Sequence, residues 1–133
     1  MPNEIRVQIG HDSDIVTARQ KGREIASQVG FKGTDLTLIA TAISEVARNI
    51  LTYAKTGEII VDAAMNGTRR GIVVVAEDQG PGIPSIEDAM RDGFSTGNSL
   101  GLGLPGAKRL MDEFEIVSQV GQGTTVTMKK WVH

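Results

Sequence analysis

The sequence contains no cysteine, which excludes disulfides and Cys-based metal sites. Its two histidines stand at position 11 and at the last residue, so a His-rich metal centre is not expected. Only five residues are aromatic (one Trp, one Tyr, three Phe), too few for a base-stacking platform. A strong excess of either charge is missing too. The formal net charge of -2 leaves no basic footprint for nucleic acid. No apolar run approaches the length of a membrane span, and "MPNEIRVQIG" does not read as a signal peptide. The expected compartment is the cytoplasm, with neither nucleic acid nor membrane as a partner.

The chain is otherwise ordinary in composition, with 40% hydrophobic and 23% charged residues in 133 positions. That length fits one domain, here 1–133, able to bury roughly two thirds of its unfolded surface. Glycine is what stands out. There are 16, and most lie from position 80 onward, so the second half needs unusual backbone geometry or close backbone approach.

"EIRVQI" alternates apolar and polar residues and predicts a first strand. Asp12 or Ser13 can cap a helix running to about Val29, which Gly30 would stop. Thr34 can cap a second helix from Asp35 to about Ala54, with apolar residues at helical spacing and Gly57 ending the unit. "EIIVDAAM" and "GIVVVAED" predict two strands joined at Asn66-Gly67. "DQGPGIP" is a forced loop, and a short helix is expected over 85–91. "DGFSTGNSLGLG" reads as a mobile loop, "LPGAKRLMDEF" as a helix, and "EIVSQV" with "TTVTMKKWV" as a final hairpin around "GQG". The expected fold is a two-layer α/β sandwich with a mixed, largely antiparallel sheet covered on one face by helices.

Gly101, Gly103 and Gly106 form G-x-G-x-x-G, which invites a dinucleotide reading. That reading needs the glycines after the first strand and an acid about 20 residues later. Here a hairpin follows, and at that distance "TTVTMKK" holds no carboxylate. A P-loop fails because Lys108 is followed by Arg109 rather than Ser or Thr. The H-R-D and D-F-G segments of eukaryotic-type kinases are missing.

Four segments occur in order: "SEVARNI" (44–50), "DQGPGI" (78–83), "GLGLPG" (101–106) and "GQGTT" (121–125). Together they resemble the N, G1, G2 and G3 boxes of the GHKL ATPase and kinase superfamily, the Bergerat fold. "GLGLPGAKRLMDEFEI" and "SEVARNILTYA" look like the RsbT-type switch protein kinases, relatives of the anti-sigma-factor serine kinases.

Glu45 and Asn49 are neighbours on the second helix. At about 100° per residue, Asn49 falls at the edge of the apolar sector. Glu45 lies further round, nearly opposite Leu36, so the wheel supports Asn49 better. The resemblance implies that Asn49 ligates Mg²⁺ and that Glu45 is the general base. A solvated Glu and Asn on a helix face is the plain alternative. Arg48 is expected on the opposite flank as a surface or partner contact. Asp78 ends an apolar strand; by resemblance it reads the adenine amino group, where "DQGPG" alone would suggest only a turn. Gly80 and Gly82 would let the backbone approach the base. Gly97, Ser99, Gly101, Leu102 and Gly103 would line the phosphate side, and Thr124 would close the adenine side. Lys108 and Arg109 either assist the phosphates or are surface cations. Pro105 suits a first helical turn.

The superfamily's gyrases, chaperones and mismatch-repair proteins carry large extra domains, for which 133 residues leave no room. His11 has no dimerisation hairpin around it, which argues against self-phosphorylation. The resemblance implies a Mg-ATP-dependent protein serine/threonine kinase that phosphorylates a STAS-domain antagonist or scaffold protein. On release from its signalling assembly it would activate a PP2C-type phosphatase or similar output by binding. A nucleotide-binding anti-sigma factor acting by sequestration is the competing expectation.

Overall fold

The computed structural model describes residues 4–83, 86, 90 and 103–133. Five strands form one sheet: β1 (Ile5–Ile9), β2 (Gly57–Asn66), β3 (Arg69–Asp78), β4 (Glu113–Gln119) and β5 (Gly123–Trp131). Their order is β1-β2-β3-β5-β4, and all four pairings are antiparallel. The expected sandwich is therefore present, with no parallel pair among the described strands. The β2–β3 hairpin turns at Gly67-Thr68, with Asn66 paired to Arg69. Gly67 has φ 64°, the positive φ that a two-residue hairpin loop favours at its first position.

Helices α1 (Asp12–Val29), α2 (Thr34–Tyr53) and α3 (Gly103–Leu110) complete the described elements. In α1 the buried residues Ile15, Ala18, Gly22, Ile25, Ala26 and Val29 form one stripe at helical spacing. In α2 the stripe is Ile39, Ala42, Ile43, Val46, Ala47 and Ile50. These meet the inward side chains of the strands, among them Val7, Ile9, Ile59, Val61, Ile72, Val74, Val126 and Met128. Each fully buried aliphatic side chain contributes about 1.5–3 kcal/mol, so this layer contact dominates the stability of the fold.

The helix ends differ from the sequence reading in instructive ways. His11, not Asp12 or Ser13, is the N-cap of α1. Asp14 reaches back instead, accepting hydrogen bonds from the amides of Gly10 and His11, both at 2.9 Å. Gly33 precedes α2, and the amides of Asp35 and Leu36 donate to the carbonyls of Lys32 and Gly33. Those backbone bonds leave Thr34 no capping task. Gly30 does stop α1 as expected, while Lys55, with φ 70°, terminates α2 in the role expected of Gly57. The helix expected over 104–114 ends at Leu110. There the amide of Asp112 donates to the Lys129 carbonyl, and the Asp112 carboxylate accepts from the Trp131 amide. The sheet edge thus captures the chain, and Glu113 and Phe114 become strand. Of the short helix expected over 85–91 only Ile86 and Met90 are described, joined by one helical bond of 2.9 Å. Among the described residues no helix is long and apolar enough to cross a membrane.

Candidate functional site

The inward face of β3 runs Ile72, Val74, Ala76, Asp78, all buried. A charged residue thus occupies the last position of an apolar register. Asp78 is 6% exposed, and its Oδ1 accepts the Gly80 amide at 2.9 Å. Its second oxygen accepts no hydrogen bond among the described residues and retains contact with solvent. Directly across the sheet, Asp78 pairs with Thr124, also buried. The hydroxyls of Thr124 and Ser118 are 2.7 Å apart, and Ser118 Oγ accepts the Ile83 amide at 2.7 Å. Ser118 was not singled out from the sequence. Its signal is parity: Phe114, Ile116 and Ser118 alternate toward the helices, so a hydroxyl falls on the buried side of β4.

The loop after β3 is held by backbone crowding. A Cβ on Gly80 would lie 2.5 Å from Ala54 Cβ at the end of α2. Gly82, at φ 81°, runs against the backbone of Gln119 and Val120, and Pro81 O accepts the Gly121 amide at 2.7 Å. The sequence reading reserved these glycines for a bound base. The structure gives their neighbours as the protein's own chain.

The same crowding locates α2 over this end of the sheet. At Gly57, a Cβ would lie 2.7 Å from Ile50 Cγ2 and 3.1 Å from Asp78 Cβ. Asn49 is the neighbour in α2 of Ile50, which these contacts bring toward Gly57 and Asp78. It is half-buried, and its amide makes no hydrogen bond among the described residues. Glu45 requires a correction. The helical wheel placed it away from the core, yet it is only 6% exposed. The wheel treats α2 as facing one layer, whereas α3 packs along the flank that carries Glu45. Glu45 Oε2 accepts the Gly103 amide at 2.8 Å, at the first residue of α3. Arg48 lies in the outward sector of α2, in line with Thr41, Ser44 and Thr52, yet it is half-buried, with Nε enclosed and unpartnered.

Helix α3 buries Leu104, Pro105 and Ala107 and exposes Lys108 and Arg109 in its last turn. Those two cations are at the opposite end of α3 from Gly103, where they complement the helix dipole. At the same end the buried Lys130 donates to the Leu110 carbonyl at 3.0 Å. Gly97, Ser99, Gly101 and Leu102 lie outside the described residues. Among the described residues, no group of three His, Cys, Asp or Glu side chains could hold a metal. Two shallow clefts touch Asp78. The larger, about 300 Å³, runs along Ala54, Thr56, Gly57 and Gly80. Neither is lined by Asn49 or Glu45.

Asn49, Asp78, Thr124 and the α3 N-terminus thus gather at one end of a helix-covered antiparallel sheet. Residues 11–130 match the histidine kinase-like ATPase domain, and the chain belongs to that family. It is 49% identical over 132 residues, 99% of each chain, to the serine/threonine-protein kinase RsbT of Bacillus subtilis (strain 168). It is 33% identical over 121 residues to the anti-sigma F factor of Thermoanaerobacter sp. (strain X514), covering 86% of this chain and 83% of that one. It is 31% identical over 143 residues to the anti-sigma F factor of Geobacillus stearothermophilus, covering 98% and 93%. The full-length similarity makes the chain a protein kinase built on this domain, with ATP as its phosphoryl donor.

Proposed function

We propose that the protein transfers the γ-phosphoryl group of ATP to a serine or threonine of a STAS-domain antagonist or scaffold protein, and changes partners as a result. What supports this reading is that Asn49 and Asp78 both offer unengaged side-chain oxygens at the same end of the fold. Asp78 Oδ2 would accept the adenine amino group, with Thr124 beside it. The loop of Gly80 and Gly82 would flank the base, and Gly97, Ser99, Gly101, Leu102 and Gly103 would face the phosphates. Helix α3 directs its N-terminal amides at that charge. Mg²⁺ suits the amide oxygen of Asn49, because it keeps most of its ligands as water and phosphate oxygens. There it would neutralise charge developing on the transferred group. Glu45 would accept the proton of the attacking hydroxyl.

In this reading the kinase is held by STAS scaffold proteins in a stressosome-type assembly in the cytoplasm. Phosphorylation of the scaffold releases it to bind and activate a PP2C-type phosphatase or similar output. The anti-sigma F factors among its relatives favour one second reading, a nucleotide-binding regulator that sequesters a sigma factor. Incubation with labelled ATP and candidate STAS proteins separates the two. Phosphoserine or phosphothreonine on the STAS protein is expected. Its absence alongside tight sigma-factor binding would favour sequestration. Asn49→Ala is expected to abolish transfer in a folded protein, and normal transfer by that variant would remove the magnesium assignment.

A further inference from the structure

Helix α3 is gripped at both ends by buried charge of the sign its dipole favours. The Glu45 carboxylate accepts the first amide, at Gly103, and the Lys130 ammonium donates to the last carbonyl, at Leu110. Both side chains are more than nine-tenths buried. The N-terminal contact has a consequence for the proposed site. The amide that Glu45 occupies is one of those expected to face the nucleotide phosphates. A carboxylate on the N-terminus of a helix occupies the position an anionic ligand would take, since both are drawn by the same unsatisfied N–H groups and the same positive dipole end.

We propose that Glu45 is an internal stand-in for phosphate, latched onto the N-terminus of α3 until a nucleoside triphosphate displaces it. This inference rests on the nucleotide site described above and concerns how that site is regulated. Displacement does two things at once. It hands the Gly103 amide to the phosphate chain, and it frees the Glu45 carboxylate to face the incoming hydroxyl. The base is thereby withheld until the donor is in place. A nucleoside without phosphates has nothing with which to compete for the Gly103 amide and leaves the latch shut.

The latch lowers apparent triphosphate affinity by the fraction of molecules in which it is open. Closed in about nine molecules of ten, it weakens binding about tenfold. Two variants separate displacement from simple charge repulsion. Glu45→Ala removes both the charge and the bond. Glu45→Asp keeps the charge, but its carboxylate is withdrawn by one C–C bond, about 1.5 Å, which takes it out of reach of the Gly103 amide. Calorimetric titration of the full chain with a non-hydrolysable ATP analogue, and separately with adenosine, provides the test. The expected result is analogue binding about tenfold tighter in both variants, with adenosine binding unchanged. Glu45→Asp binding like the wild type would reduce the effect to repulsion and overturn the latch. So would weaker analogue binding by either variant, because Glu45 would then be building the site rather than blocking it. Equal tightening for adenosine would overturn it too. A wild-type chain that binds neither ligand would count against the nucleotide site itself, whereas normal wild-type binding with an unaltered Glu45→Asp variant counts against the latch alone.

Discussion

Replacing Asp78 by Asn changes one atom at the floor of the proposed adenine site. The structure indicates which functions survive. Oδ1 accepts the Gly80 amide at 2.9 Å, and the Asn carbonyl can keep that bond, so the loop through Gly80 and Gly82 stays in place. The oxygen left unengaged becomes an amino group, a donor where the adenine amino group also donates. A hydrogen bond to a charged acceptor contributes about 1.5–3 kcal/mol. Its loss therefore weakens ATP binding about 10- to 150-fold. The fold should be spared, because Asn has the shape of Asp and no cation on a described residue is left unpaired. The new donor also faces the right way to meet a carbonyl. Inosine triphosphate, which carries an oxygen in place of the adenine amino group, should lose less affinity than ATP or gain some. Calorimetric titration with both nucleotides, alongside a thermal melt, measures all three quantities. Unchanged ATP affinity in a folded Asp78→Asn variant would refute the adenine assignment. An equal loss for both nucleotides would place Asp78 in loop structure rather than in base recognition.

Two further outcomes concern stability. Lys130→Met leaves the Leu110 carbonyl without its buried donor and should cost about 1–3 kcal/mol, read as a lower denaturant midpoint with an unchanged slope. Gly57→Ala would put a methyl group 2.6 Å from the Glu77 carbonyl oxygen. The backbone cannot give way as a side-chain tip can, so a loss of about 1–3 kcal/mol is expected, with weaker ATP binding because Asp78 lies against the same methyl. A melt matching the wild type would show that β2 and α2 are less tightly apposed than described.

The element order and the sheet were legible because their signals are local. Alternation in 5–9, the apolar run of 72–76 and the helical spacing of α2 each mark an element within a few residues. Asp78 stood out as the last residue of an apolar strand in a box that resembles the family's, and the structure puts it on the buried parity of β3. What escaped depends on contacts between distant segments. The end of α3 is decided by Asp112 bonding to residues of β5, which no pattern within 104–114 reveals. The burial of Glu45 is decided by α3, some sixty positions further on, so a wheel drawn for one packing face misplaces it. Ser118 looked like any strand serine until Thr124 was placed opposite it. The positive φ of Lys55 overrides local preference at a helix end that a glycine would ordinarily mark.

The glycines after β3 and around the β4–β5 turn meet a demand of the fold itself. Gly80 and Gly82 pointed to a nucleotide box on the supposition that a ligand needs the room. Their nearest neighbours are Ala54 and the backbone of Gln119 and Val120, and Gly123 abuts the Asp78 carbonyl. These contacts draw the end of α2, the loop after β3 and the β4–β5 turn together around a single carboxylate. Side chains at these positions would force the three segments apart and let water surround Asp78. A hydrated carboxylate gains little by exchanging water for an adenine amino group, whereas one held in a narrow, mostly dry notch gains more. The glycines would therefore serve the nucleotide indirectly, by keeping the acceptor that reads it poorly solvated. Gly82→Ala should then weaken ATP binding through Asp78, and in combination with Asp78→Asn it should cost much less than it does alone. Full additivity in that double-mutant cycle would mean that the glycines and the carboxylate act separately, and that the loop contacts the base directly.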